Sequence, residues 1–379
     1  MARPVVVGLN AVIVAVSGES PMILTVDLPT ALDGTGRSSP DCGPAEGLPF
    51  GPLDPDEDRT LDRGLRRWVT QQTGLRLGYI EQLYTFGDRD RAGPSGARAL
   101  SVAYLALTRQ SEPNGAAAPR WSRLYDFFPW EDWRGGPPQL LEHSIHPALR
   151  HWADHPHPAA PAEGGGRTGG GSVSADRRRE RAQIVFGLDG APWDRNRVLD
   201  RYELLYESNL VEEAARDSGA PSVGGAALPG DPSGPSAGSG PSHVATGRTF
   251  AGQASVRPGG SPAADRGFGR PMVLDHRRIA ATALERMRGK LSYRPVVFEL
   301  LPDSFTLLQL QRVVEALAGE RTHKQNFRRL VEQSRMVERT GQVETRTGGR
   351  PAELFRFRRE VLLERPAPGL GLPRRRLAR

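Results

Sequence analysis

The chain has 379 residues, room for two domains of ordinary size. Hydrophobic residues make up 37% of it and charged residues 25%, while 44 glycines and 33 prolines exclude a packed core throughout and assign whole stretches to linkers. A lone cysteine, Cys42, excludes a disulfide framework and a cysteine zinc site and fits a reducing cytoplasm, and no run of 18 apolar residues is present to span a membrane.

The formal charge of +7 is unevenly placed. Of the 51 basic residues only Lys290 and Lys324 are lysines, so part of the arginine excess is compositional and its position says more than its sum. From Phe268 onward 24 Lys and Arg face 12 Asp and Glu, a net +12, which leaves −5 for the first 267 residues. A basic C-terminal third behind an acidic front suggests one end that meets a polyanion.

In chain order, the apolar stretch Val5–Val16 is predicted as a buried strand; Asn10 interrupts it and no cleavage site follows, against a secretory leader. A second strand is expected at Met22–Val26, after the turn Ser17-Gly18-Glu19-Ser20. A Gly/Pro/Asp-rich loop, Asp33–Asp58, leads to a helix over Thr60–Thr73 that Gly74 stops. Strands are expected at Tyr79–Phe86 and Leu100–Leu107, followed by the aromatic-rich Leu124–Trp133. Residues 154–175 are a low-complexity insertion. One long helix is predicted over Asp194–Ala215, where Leu199, Tyr202, Leu205, Tyr206 and Leu210 recur at helical spacing. Residues 216–267 carry almost no large apolar side chains and read as a disordered Gly/Pro/Ser linker.

In the C-terminal block Asp275 is the expected N-cap of a helix bearing Ile279, Ala283, Leu284 and Met287 on one face. Tyr293–Leu301 reads as extended. Thr306-Leu307-Leu308-Gln309 and Thr322-His323-Lys324-Gln325 are both Thr-x-x-Gln capping boxes, each opening a helix, with the turn Ala318-Gly319-Glu320-Arg321 between them. Met336–Thr340 and Leu354–Phe357 are the arms of a hairpin. Helix, strand, helix, turn, helix and hairpin is the order of a winged helix. The tail, residues 366–379, is basic.

Three front-domain stretches resemble the Nudix family. Leu48-Pro49-Phe50-Gly51-Pro52-Leu53-Asp54-Pro55-Asp56-Glu57 looks like the loop opening a Nudix box, with Gly51 and Glu57 in its Gly and Glu positions. Arg67-Trp68-Val69-Thr70-Gln71-Gln72-Thr73-Gly74-Leu75 is similar to its helical end, although Glu57 to Arg67 is two residues longer than the family pattern. The stretch 81–91 followed by Leu100–Leu105, and the C-terminal Pro302–Arg329 with Asn326-Phe327-Arg328-Arg329, resemble the Nudix-related transcriptional regulators of NAD metabolism.

The departures decide the chemistry the resemblance implies. Nudix hydrolysis needs Mg²⁺ held by helix carboxylates at i, i+3 and i+4, which share one helix face. Here those positions hold Trp68, Gln71 and Gln72, and Glu57 alone cannot gather a catalytic metal. No enzyme activity, metal or cofactor is therefore expected. The scaffold retains a pocket for an ADP-ribose-like or NAD-like effector, for which Phe86, Asp88 and Arg89 are the candidate contacts; the alternative is a pocket that serves only dimerisation.

The second helix of the C-terminal pair carries the stronger signal. Phe327, Leu330 and Val331 supply a core stripe, while Thr322, Lys324, Gln325, Arg328 and Arg329 lie near its N-terminal end, where a recognition helix reads bases. Arg346 and Arg350 flank the wing turn and could hold phosphates. Other signals are weak. The histidines between His143 and His157 fit no zinc spacing, the glycines of 164–171 lack the end of a phosphate loop, and Arg177–Arg181 reads as a charged helix face.

The expected fold is α+β. A Nudix-like mixed-sheet α/β/α sandwich in residues 1–215 precedes a winged helix-turn-helix domain in residues 268–365. The expected function is a cytoplasmic, homodimeric transcriptional regulator that binds double-stranded DNA and senses a metabolite of NAD turnover, with no membrane partner. A divergent Nudix hydrolase of nucleoside-diphosphate-linked substrates and a scaffold with a protein-binding winged helix are the alternatives.

Overall fold

The computed structural model describes residues 5–28, 45–87, 98–155, 174–218, 268–292, 294–344 and 351–364. Most of the 154–175 insertion and of the 216–267 linker, the 366–379 tail, Cys42, Asp88, Arg89, Arg346 and Arg350 lie outside the described residues.

Strand β1 (Val5–Ser17) is the spine of a mixed sheet. It pairs antiparallel with β2 (Ser20–Leu28), which also carries β3 (Ala45–Gly47), and near its start with β4 (Phe50–Pro52). Helix α1 (Leu61–Thr73) and β5 (Tyr79–Phe86) follow, and then β6 (Arg98–Leu107) returns parallel to β1, from Val5↔Arg98 to Val14↔Leu107. A parallel neighbour requires a crossover, and the chain between β4 and β6 supplies it. Strand β5 pairs antiparallel with β6 at one edge, and β7 (Arg120–Arg123), which sequence patterning did not mark, pairs with β2.

Period-two alternation divides the strands between two layers. Leu9, Ala11 and Ile13 of β1 and Val102, Tyr104 and Ala106 of β6 face Leu65 and Val69 of α1. Val12, Val14, Ala103, Leu105 and Leu107 belong to a larger cluster on the opposite face. Thr60 caps α1 by accepting the Arg63 N–H, and Gly74, at φ 72°, closes it in the left-handed conformation that glycine adopts without penalty.

The second layer is helical. Short α2 (Leu124–Phe127) leads through a 3₁₀ turn, Pro129–Glu131, and a π turn, Leu141–Ile145, into α3 (His146–Asp154). The histidine-rich stretch is partly a helix packed through Leu149 and Trp152, with His151 and His155 exposed and their rings stacked at 4.8 Å. Helix α4 (Ala175–Phe186) carries Arg177–Arg181, and the single helix predicted over Asp194–Ala215 is two, α5 (Val198–Glu207) and α6 (Glu212–Ser218). Asn209 breaks it at φ 57°, a conformation that a short polar side chain tolerates.

Helix α7 (His276–Leu291) begins after Asp275 as expected, but the Asp275 side chain makes no capping bond to the helix. The stretch expected to be extended is not: within it Val296–Leu300 forms a 3₁₀ helix, and the strand of this region is β8 (Phe305–Thr306). Helices α8 (Leu307–Ala318) and α9 (Lys324–Ser334) precede the wing, β9 (Val337–Glu344) and β10 (Ala352–Phe357), and α10 (Val361–Glu364) ends the described chain. The order β8-β10-β9 gives a three-stranded winged-helix sheet. Helix α7 touches β1 and β5 as well as α8, and one hydrophobic cluster runs from the sheet through α7 to Val314, Phe327 and Phe355.

Candidate functional site

The loop and helix resembling a Nudix box are locked by side chains that bind backbone. Arg67 grips Asp58 with two prongs, Nε to Oδ1 at 3.0 Å and Nη2 to Oδ2 at 2.7 Å, and Asp58 also accepts the Asp54 N–H at 2.9 Å. The Arg67 hydrogen bond, with help from that N–H, holds the Asp58 carboxyl below its ordinary value. Glu57, beside Asp58, is exposed.

At the positions where a hydrolase needs metal ligands, two side chains are committed elsewhere. Trp68 donates to the Pro52 carbonyl at 2.8 Å, and its indole fills the space over Gly51, where a Cβ would collide with it. Gln72 accepts the Phe50 N–H at 3.0 Å and donates to the Phe50 carbonyl at 2.8 Å, as a neighbouring strand would. Gln71 is exposed. An indole, two amides and a paired Asp58 do not fit a divalent cation that needs several free carboxylate oxygens. Among the described residues, no three His, Cys, Asp or Glu side chains converge on a cation site.

Of the effector candidates, only Phe86 is described. It is buried in the larger core with the Arg278 guanidinium 5.5 Å above its ring. Arg278 also lines a cavity of about 510 Å³ with Tyr202, Tyr206, Glu203, Glu207, Asp217, Asp275 and Arg181, whose acidic excess does not suit a diphosphate.

The helix pair of the C-terminal domain is built from its turn outward. The Thr306–Gln309 capping box forms in full. The second box does not: His323 is the N-cap of α9, and the Thr322 hydroxyl turns away to donate to Glu315 at 2.9 Å. Glu315 also accepts the Thr322 N–H at 2.9 Å, Gln311 at 2.8 Å and Arg321 at 3.0 Å. Burial works against its charge, but these donors outweigh it and keep the carboxyl below its ordinary value. Thr322 thus fixes the turn, while Lys324, Gln325, Arg328 and Arg329 are exposed over a buried base of Phe327, Val331 and Ser334. Arg328 leans toward Glu332, 3.5 Å away.

Sequence reasoning missed the anchors of this turn, whose partners lie far off in the chain. The Gly319 carbonyl accepts the Trp133 N–H at 2.7 Å, and Tyr125 donates to the Ala316 carbonyl at 2.7 Å. Beneath them Glu131, fully buried, takes Arg201 at 2.5 Å and Arg288, whose Nε reaches the Leu317 carbonyl at 3.3 Å. Burial opposes the Glu131 charge, and the two guanidiniums more than restore it, leaving its carboxyl below the ordinary value. From the tip of the β1–β2 hairpin, Glu19 reaches Arg312 at 3.2 Å and Arg321 at 2.5 Å.

The chain is similar to several known proteins. A relative from Acinetobacter baylyi, the "ADPR responsive transcriptional repressor NtrR", is 36% identical over 86 residues, which are 23% of this chain and 34% of that protein. The chain therefore matches about a third of that relative's length. Among solved structures, Shewanella oneidensis NrtR complexed with a 27mer DNA is 18% identical, covering 93% of this chain and 94% of that one at a TM-score of 0.46. A MutT/nudix family protein from Enterococcus faecalis is 14% identical, covering 94% and 88% at a TM-score of 0.44. The family model of the NrtR DNA-binding winged helix domain matches residues 297–357, from the 3₁₀ turn before β8 to the end of β10. Residues 297–357 are thus similar to an NrtR DNA-binding winged helix.

Proposed function

We propose that this protein is a transcriptional regulator that binds double-stranded DNA through α9 and its wing. One observation carries the reading: inside the segment that matches a DNA-binding winged helix, α9 exposes Lys324, Gln325, Arg328 and Arg329 together at its N-terminal half. Base edges in a major groove are read by long hydrogen-bond donors at that end of a recognition helix. Thr322 contributes by holding the turn, and Arg346 and Arg350 are assigned to the phosphates beside the wing.

The front domain, residues 1–215, is proposed to sense an NAD-related metabolite without cutting it. The name of the A. baylyi relative supports ADP-ribose as the effector. Trp68 and Gln72, spent on the backbone of β4, argue against hydrolysis. Asp88 and Arg89, next to Phe86, remain the proposed effector contacts. The C-terminal unit, residues 268–365, shares α7 with the front layer, so the two are proposed to move as one assembly, as a cytoplasmic homodimer on a two-fold operator. No helix among the described residues is long and apolar enough to cross a membrane.

Fluorescence anisotropy on fragments of the source genome, with ADP-ribose titrated into the complex, tests the reading. Sequence-selective binding that ADP-ribose shifts is the expected result. Binding to no duplex above the background of a basic protein would overturn it.

A further inference from the structure

We propose that Arg312 and Arg321 are phosphate-gripping residues of the DNA interface, and that Glu19 of the front sheet holds both while no DNA is bound. The proposal rests on the DNA-binding reading above. Each oxygen of the Glu19 carboxylate serves one arginine, Oε1 for Arg312 and Oε2 for Arg321. Both arginine side chains are about half exposed, at 45% and 50%, so the contact lies where solvent and ligand reach it.

Arg321 shows how such a contact can be exchanged. One arm of its guanidinium binds the buried Glu315, which has further donors in Thr322 and Gln311. The other arm is spent on Glu19 alone. Arg321 stands two residues before His323, the N-cap of α9, and the N-terminal end of a helix is where phosphates are bound. Arg312 comes from α8, yet the shared carboxylate brings it to the same spot. Exposed arginine–carboxylate pairs are weak and screened by salt, whereas a duplex presents a dense row of phosphates. DNA therefore displaces Glu19.

Glu19 is also presented firmly. It sits at the tip of a tight hairpin closed by the pair Ser17↔Ser20, with Gly18 at φ 59° and Arg134 donating to the Glu19 carbonyl. The front sheet thus reaches the two cations beside the recognition helix.

The test uses the full chain, a labelled generic duplex of about 30 base pairs (about three helical turns) and anisotropy across salt. Glu19→Gln is compared with wild type and with Glu180→Gln, an equal charge change on the exposed face of α4. Both arginines meet phosphates once DNA is bound, with or without the Glu19 carboxylate, so Glu19→Gln should leave the slope of log K on log salt within about half a unit of wild type and bind about threefold to tenfold more tightly than Glu180→Gln at about 50 mM salt. That advantage should fade toward about 200 mM salt, because salt screens the exposed Glu19 pairs that wild type has to break. Adding Arg312→Ala and Arg321→Ala to Glu19→Gln should remove the gain. An affinity for Glu19→Gln no higher than that of Glu180→Gln at about 50 mM salt overturns the proposal. So does weaker binding together with a lower melting temperature, which would make Glu19 a strut. Failure of wild type itself to bind any duplex would instead overturn the DNA reading.

Discussion

The Trp133 N–H and the Gly319 carbonyl meet at 2.7 Å, joining the aromatic turn of the front domain to the bend between α8 and α9. Gly319 is at φ 72°, and a Cβ there would lie 2.6 Å from Arg288 Nη2, 2.9 Å from Tyr125 Oη and closer still to the Glu131 carbonyl. Gly319→Ala therefore combines left-handed strain, about 1–2 kcal/mol, with a backbone collision that no side-chain rotation relieves. A loss of more than about 2 kcal/mol in urea denaturation is expected. A loss below about 0.5 kcal/mol would show that the bend is not held as described.

Glu131→Gln tests the buried cluster. Glu131 neutralises Arg201 and Arg288, both fully buried, and the amide would leave two guanidiniums without a counter-charge. Removing one partner of a buried ion cluster costs about 3–5 kcal/mol, which equilibrium denaturation would register. Stability within about 1 kcal/mol of wild type would mean that water reaches the cluster.

Acid should loosen the turn before α9. The Glu315 carboxyl lies below its ordinary value in the folded state, so its stabilisation is complete above the unfolded value of about 4.3. It is lost as the pH falls from there through the depressed value, because the unfolded chain then binds the proton more readily. Melting temperature followed from pH 7 downward should drop less steeply for Glu315→Gln than for wild type. Parallel curves would contradict the assignment.

How far the sequence could be read depended on the range over which each feature is determined. The alternation of Leu9, Ala11 and Ile13 against Val12 and Val14, the Thr60 and Gly74 ends of α1 and the Thr306–Gln309 box are local, and all three form. Thr322-His323-Lys324-Gln325 has the same pattern as that box, but Glu315 is a better acceptor for the Thr322 hydroxyl than a helix end, so tertiary contact overrides the motif. Glu19, Glu131 and Arg288 carried no local signal because their partners are brought to them only by the fold. In the front site, Gly51, Arg67, Trp68, Gln72 and Gly74 were singled out through the resemblance to a Nudix box. The partner of Arg67, Asp58, was not legible, because only the folded loop turns it inward and leaves Glu57 in water.

Restoring carboxylates at Trp68, Gln71 and Gln72 removes the bonds to Pro52 and Phe50 that fasten β4 to α1. The triple glutamate variant should lose about 1–3 kcal/mol for the unmade hydrogen bonds. Wild type should release no phosphate from ADP-ribose with Mg²⁺ in a coupled phosphatase assay. Turnover of about one per second or more would restore the hydrolase reading.

On α9, successive residues are about 100° apart, which sets Gln325 and Arg329 opposite Phe327 and leaves Arg328 to one side, against Glu332. Arg329→Ala is expected to cost about 1–3 kcal/mol on a selected operator and to relax its preference at one base pair. Arg328→Ala should weaken all duplexes alike and lower the salt slope by about one unit. Phe327→Ala should cost about 3–5 kcal/mol in stability as a core ring. The reverse behaviour of the two arginines would mean that α9 docks at a different angle.

Arg216, at the end of α6, donates to the carbonyls of Met272 and Leu274, so the end of α6 lies against the segment that leads into α7. Covalent continuity between them then contributes little to holding the winged helix in place. That task falls to the surfaces of α7, the Glu131 cluster and the grip on Gly319. A protease cut anywhere in 219–267 should accordingly yield two fragments on a denaturing gel and a single particle in solution. This chain would then tolerate long additions between α6 and α7 without changing how its front sheet is geared to its winged helix.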